Sequence, residues 1–177
     1  MTMLDISIES DPEWDSSSPS VGDWAALARR AASSAIAESA FPQLGEGIRT
    51  VELAVRLTGD EEVRALNAQW RGKDRPTNVL SFPMAEPGEL SEATQAEADD
   101  GPELMLGDIV LARGVCASEA QDKAISIEHH ASHLLVHGTL HLLGYDHHDD
   151  DSAADMEARE IRALARLGIP DPYADQN

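Results

Sequence analysis

Four of the chain's seven histidines fall in one stretch, HGTLHLLGYDHH at 137–148, and their spacing leaves the backbone little choice. If residues 127–143 are helical, His137 and His141 stand one turn apart and both imidazoles leave the same face. Gly144 follows where a helix ends in a left-handed cap, so the chain can reverse and bring His147 back to the same point. Three imidazoles converging in this way can hold one metal ion. They leave a fourth tetrahedral position for water, which marks a catalytic rather than a structural zinc. His129, His130, His133 and His148 read instead as fillers of a half-buried helix face. His133, one turn before His137, is placed to support the ligands from behind.

The full spacing, H-x3-H-x2-G-x2-H, is the one used by zinc hydrolases of the metzincin type. Those peptidases carry a glutamate directly after the first histidine as general base. Gly138 stands at that position, so the carboxylate that would activate water for peptide hydrolysis is missing and that reaction is demoted. Asp146 and hydroxide on the metal both stay open as the base. Asp146 or His148 could also close the site as a fourth protein ligand, which would make it structural.

A second stretch, WRGKDRPTNVLSFP at 70–83, concentrates positive charge in a chain that has little of it: 13 basic residues against 33 acidic ones, a formal −20. On average such a surface repels polyanions. Arg71, Lys73 and Arg75 are the exception, and clustered cations in an acidic protein imply a local anion site. An arginine fork suits phosphate. The plainer alternative is a solvated basic turn balanced by Asp74.

Around these two stretches the pattern predicts strands at 3–8, 50–57, 78–82 and 106–112 by apolar alternation or short apolar runs. Helices are expected at about 23–37, 60–70 (with Val63, Leu66 and Trp70 on one face), 115–122, 127–143 and 152–167, with Ser126 as an N-cap. DPEWDSSSPS at 11–20 reads as a loop, and the acid-rich 84–103 as a mobile surface loop with too little apolar surface to fold. The expectation is one α+β domain over residues 1–177, with a small mixed sheet of about four strands and helices packed on it. The metal site falls on a C-terminal helix and the turn after it. Cys116, the single cysteine, reads as a small buried hydrophobe and suits a reducing compartment. No run approaches the roughly 20 apolar residues of a membrane helix. MTMLDISIES lacks the basic and apolar regions of a signal peptide, so a cytoplasmic location is expected.

On LNAQWRGKDRPTNVLSFP, on LGDIVLA, on LVHGTLHLLGYDHHDDD with Met156, Glu157 and Glu160 beyond it, and on LGIPDPY, the chain resembles the YbeY family of bacterial endoribonucleases, the rRNA maturation factors. The resemblance covers about residues 48–173; residues 1–47 match only in general plan, and 84–103 looks longer than the family's connection. It implies a single-strand-specific, zinc-dependent endoribonuclease acting in 16S rRNA 3′-end maturation and ribosome quality control. One Zn2+ per chain is implied through His137, His141 and His147. Arg71 matches an arginine essential in that family, and His137 is likewise implicated in activity. Lys73 and Arg75 are read as RNA-binding cations. Implied partners are ribosomal RNA, the small ribosomal subunit, one of its proteins and the GTPase Era. Two rivals stand beside this reading: a metal-dependent hydrolase of another substrate, and a non-catalytic assembly factor whose zinc only braces the fold.

Overall fold

The computed structural model describes residues 4–15, 23–45, 50–94 and 103–174. A mixed sheet of four strands is the frame: β1 (Leu4–Ser10), β2 (Val51–Thr58), β3 (Val79–Pro83) and β4 (Leu104–Ala112). Their order is β1-β2-β4-β3, with β1 and β4 parallel to β2 and β3 antiparallel to β4. Strand β2 alternates as its sequence demands. Val51, Leu53, Val55 and Leu57 are buried, while Glu52, Ala54 and Arg56 lie partly exposed on the other face. Central β4 is buried along most of its length and slips register at Leu106, so that Met105 pairs with Glu52 and Gly107 with Leu53. Gly107 sits at φ +140, and a Cβ there would lie 2.2 Å from the Phe82 carbonyl oxygen, so only glycine fits this bulge.

Three helices supply most of the core laid against the sheet: α2 (Trp24–Ala37), α6 (Ile127–Leu142) and α7 (Asp150–Arg166), among seven described, with a 3-10 turn at Pro42–Gly45. Helix α6 lies innermost. From His130 to Leu143 every residue is buried except His137 and His141. Leu135, Leu140 and Leu142 pack with Ile109 and Leu111 of the sheet, Ile36 of α2 and Met156 and Leu164 of α7 in one cluster. Cutting any of these leucines to alanine costs about 2–5 kcal/mol, because a packed core relaxes only partly around the void. Gly138 makes the close approach possible, since a Cβ there would lie 3.0 Å from Ile109 Cγ2. Cys116, on α5 (Arg113–Asp122), is fully buried, and burial pushes its thiol up to about 12.

Two expectations need correction. Within the supposed loop 11–20, Pro12–Asp15 form a short helix, α1. Trp14 is fully buried, donates from Nε1 to the Thr58 carbonyl at 3.0 Å, and packs edge-to-face on Trp24 at 5.1 Å. One large apolar side chain overrides the polar composition around it; residues 16–20 lie outside the described residues. Likewise Pro87–Ala93, within the acidic 84–103, form helix α4, with the Glu86 N–H donating to the Glu89 carboxylate and Leu90 buried at 1% exposure. Residues 95–102 lie outside the description. On α3 (Asp60–Arg71), Val63 is buried and Leu66 half-buried in one cluster with Phe82, and Trp70, 64% exposed, packs edge-on over the same Phe82. Among the described residues no helix is long and apolar enough to cross a membrane.

Candidate metal centre and the cation-lined cleft

Ser126 caps α6, its hydroxyl accepting from the His129 N–H at 3.1 Å. Three turns on, the helix presents His137 and His141, the two openings in its buried surface. The helix then stops as the glycine dictates: Gly144 takes φ +96, its N–H donates to the His141 carbonyl, and the Tyr145 N–H donates to that of Leu140. The turn that follows is anchored at Tyr145. Its hydroxyl accepts from the Ala40 N–H at 2.8 Å, and its ring lies under the Arg159 guanidinium at 4.9 Å. His147 comes next. Beyond it Asp149 caps α7 by accepting from the Ser152 N–H at 2.7 Å.

His137, His141 and His147 each offer a ring nitrogen, and these atoms lie within 4.8 Å of one another. The Nε2 atoms of His137 and His141 are only 3.0 Å apart. Burial, then the neighbouring His137, lowers His141 to about 4, so it is neutral at physiological pH. Behind His137 lies Glu160 of α7, 1% exposed, with Oε1 2.5 Å from His137 Nδ1 and Oε2 2.8 Å from His133 Nε2. Its Oε2 also accepts the Tyr173 hydroxyl. Burial alone would raise this carboxyl, but the hydrogen bonds from His133 and His137 outweigh it and hold Glu160 well below the usual carboxylate range. Three imidazole nitrogens gathered this closely, with a carboxylate behind one of the rings, form a donor set that fits a divalent metal. Among the described residues, neither Asp146 nor His148 joins the cluster. Asp146 accepts from the His147 N–H at 2.8 Å, and that bond leads the effects holding its carboxyl low.

The triad opens into a cleft of about 820 Å³ whose other wall carries Arg71, Lys73 and Arg75. The two stretches singled out in the sequence therefore meet in space. Arg71 is the last residue of α3, and its Nη2 donates to the Ser81 carbonyl at 3.0 Å. Gly72 follows at φ +68 and lets the loop turn back. Buried Asn67 then pins it, donating from Nδ2 to the Arg75 carbonyl at 2.8 Å and accepting from the Lys73 N–H at its own carbonyl. Asp74 does not balance its neighbours, because it pairs with Arg64 at 2.9 Å. At the far end of the loop Asn78 donates to Glu119 at 3.0 Å, and the same Glu119 oxygen meets His130 Nε2 at 2.9 Å.

His130 and His133 thus bond to carboxylates rather than merely fill a face. Glu160, Glu119, Asn67 and Tyr173 are residues whose roles the sequence left unassigned. For Glu160 a signal existed: it occupies the buried stripe of α7 with Met156, Ala163 and Leu164, where a carboxylate needs a partner.

A family model described as Endoribonuclease YbeY matches residues 17–168. Relatives named Endoribonuclease YbeY include that of Sphingopyxis alaskensis, 53% identical over 99% of this chain and 100% of its own. That of Rhizorhabdus wittichii is 48% identical over 97% and 98%. A Thermotoga maritima protein solved in solution shares the fold with a TM-score of 0.54 at 22% identity, covering 94% of this chain and 92% of its own.

Proposed function

The chain belongs to the YbeY family of endoribonucleases, and from that premise we propose that it cleaves single-stranded RNA with the help of one Zn2+ per chain. The observation that carries this reading is the shared cleft, with the histidine triad on one wall and Arg71, Lys73 and Arg75 on the other. Phosphodiester cleavage piles negative charge on the phosphoryl oxygens, and fixed positive charge aimed there lowers the barrier. His137, His141 and His147 would hold the zinc, which when bound supplies Lewis acidity toward a phosphoryl oxygen.

Arg71 supplies the second charge. One of its five N–H donors is engaged by the Ser81 carbonyl, and the rest of its planar fork is left for phosphate oxygens. Lys73 and Arg75, exposed on the loop, hold flanking phosphates and so position the strand without reading its bases. With a net charge of −20, the surface on average repels RNA, and the three cations of this cleft supply local attraction. The whole chain acts as one domain in the cytoplasm. Its substrate is the 3′ end of the 16S rRNA, and its partners are the small ribosomal subunit, one of the subunit's proteins and the GTPase Era, all carried by the family resemblance rather than by geometry.

The test is metal analysis together with cleavage of a single-stranded rRNA 3′-end fragment by wild type, His141→Ala and Arg71→Ala. The reading expects zinc and cleavage in wild type, neither in His141→Ala, and zinc without rapid cleavage in Arg71→Ala. A zinc-loaded wild type that binds the small subunit yet cleaves no RNA would hand the function to the assembly-factor alternative.

A further inference from the structure

Behind the triad lies a carboxylate that no substrate can reach. Glu160 is 1% exposed, and three groups from two parts of the chain, α6 and the segment after α7, close on its two oxygens: His137 Nδ1 on Oε1, and His133 Nε2 and the Tyr173 hydroxyl on Oε2. An ionised carboxylate only accepts hydrogen bonds, so each partner must donate. For His137 this decides the tautomer. The contact with Oε1 assigns the proton to Nδ1 and leaves the lone pair at Nε2 toward the place where His141 Nε2 arrives, 3.0 Å away.

We infer that Glu160 is the positioning residue of the metal centre. It fixes which nitrogen of His137 is available and the plane of the ring, while Tyr173, from the segment after α7, and His133 fix Glu160. Glu160 is not a ligand itself, since it lies outside the ligand cluster and Oε1 is used by the Nδ1 proton. The inference rests on the metal reading above. Residues that orient a metal-binding histidine in this way typically change metal affinity by about 10–100-fold when altered. A carboxylate that merely stabilised the core would affect folding and leave the tautomer and the metal affinity alone.

The experiment has two arms at pH 8. Long-range 1H–15N correlation on the metal-free wild type reads the His137 tautomer directly, and the Nδ1–H form is expected; a majority Nε2–H form overturns the inference without any variant. Competition against a chromogenic chelator then gives the Zn2+ affinity of wild type, Glu160→Gln and Tyr173→Phe, with far-UV circular dichroism reporting the fold of each. Glu160→Gln should bind Zn2+ about 10–100-fold more weakly, because its amide can turn an N–H toward His137 and drive the proton to Nε2. Tyr173→Phe, which removes one donor and leaves the carboxylate, should weaken binding severalfold. Wild-type affinity in a folded Glu160→Gln overturns the inference and leaves the metal site standing. If Glu160→Gln does not fold, unchanged affinity in Tyr173→Phe together with the wrong tautomer does the same. Failure of the wild type to bind Zn2+ sinks the metal reading and this inference with it.

Discussion

The two walls of the cleft are built on opposite plans. On the histidine wall the working atoms are held through neighbouring side chains: buried Glu160 grips His137, and half-buried Tyr145, itself held by Arg159 and the Ala40 N–H, anchors the turn that carries His147. On the cation wall Arg71, Lys73 and Arg75 are exposed, and the loop is held by its backbone, through Gly72 and the hooks of Asn67. The difference follows from the ligands each wall suits. Short imidazole ligands reach a common point only if their rings are held at fixed angles. Phosphate oxygens are large, wet and tolerant, so long cationic side chains can find them from a fixed backbone. Between the walls runs one brace, Asn78–Glu119–His130.

If the walls divide the work in this way, breaking the histidine wall should have the largest effect. His141→Ala should remove both metal and RNA cleavage, and metal analysis returning wild-type stoichiometry would erase the distinction. Arg71→Ala comes next. It should retain metal content and melting temperature while losing at least about a hundredfold in cleavage rate, the scale of a lost transition-state charge contact. Arg71→Lys should recover only part of that loss, since a point charge does not reproduce a fork.

Acid should weaken the supports behind the cleft rather than its exposed cations. Burial holds His130 below the ordinary histidine value of about 6.5, with Glu119 opposing only in part. The unfolded chain therefore binds that proton first, and the contribution of His130 is lost as pH falls below about 6.5. Glu38, held low chiefly by Arg166 despite some burial and bridging α2 to α7, follows below the ordinary glutamate value. The melting temperature of the metal-free protein should fall from pH 7 to 4, and His130→Gln should flatten the upper part of that fall. A flat profile for the wild type would contradict the buried-support account. Smallest are Lys73→Ala and Arg75→Ala. Each should weaken RNA binding severalfold and reduce the salt slope of log affinity by about one, leaving metal content untouched. A change in metal content there would mean the walls are not separate.

Much of this was legible because local spacing carried it. Histidines one turn apart and a glycine at the helix end are statements about neighbours, as is the alternation of β2. What stayed hidden depends on distant partners or on single anchors. Glu160 meets His133 and His137 across 27 and 23 residues, and nothing near it in sequence announces them. Trp14 and Leu90 each fix a helical segment inside polar text, where average composition reports only solvent. Asp74 offered a false neighbour for the cations, its true partner being Arg64 on the preceding helix.

The contact between Gly138 and Ile109 also bears on what could be engineered here. Zincin peptidases place their catalytic glutamate at this position, and a single substitution would write that motif into the sequence. In this fold the side chain would be driven into the packed seam between α6 and β4, so Gly138→Glu should unfold the protein rather than create a peptidase. The barrier between the two chemistries is one of volume, and crossing it would require redesigning the sheet beneath the helix before touching the metal site.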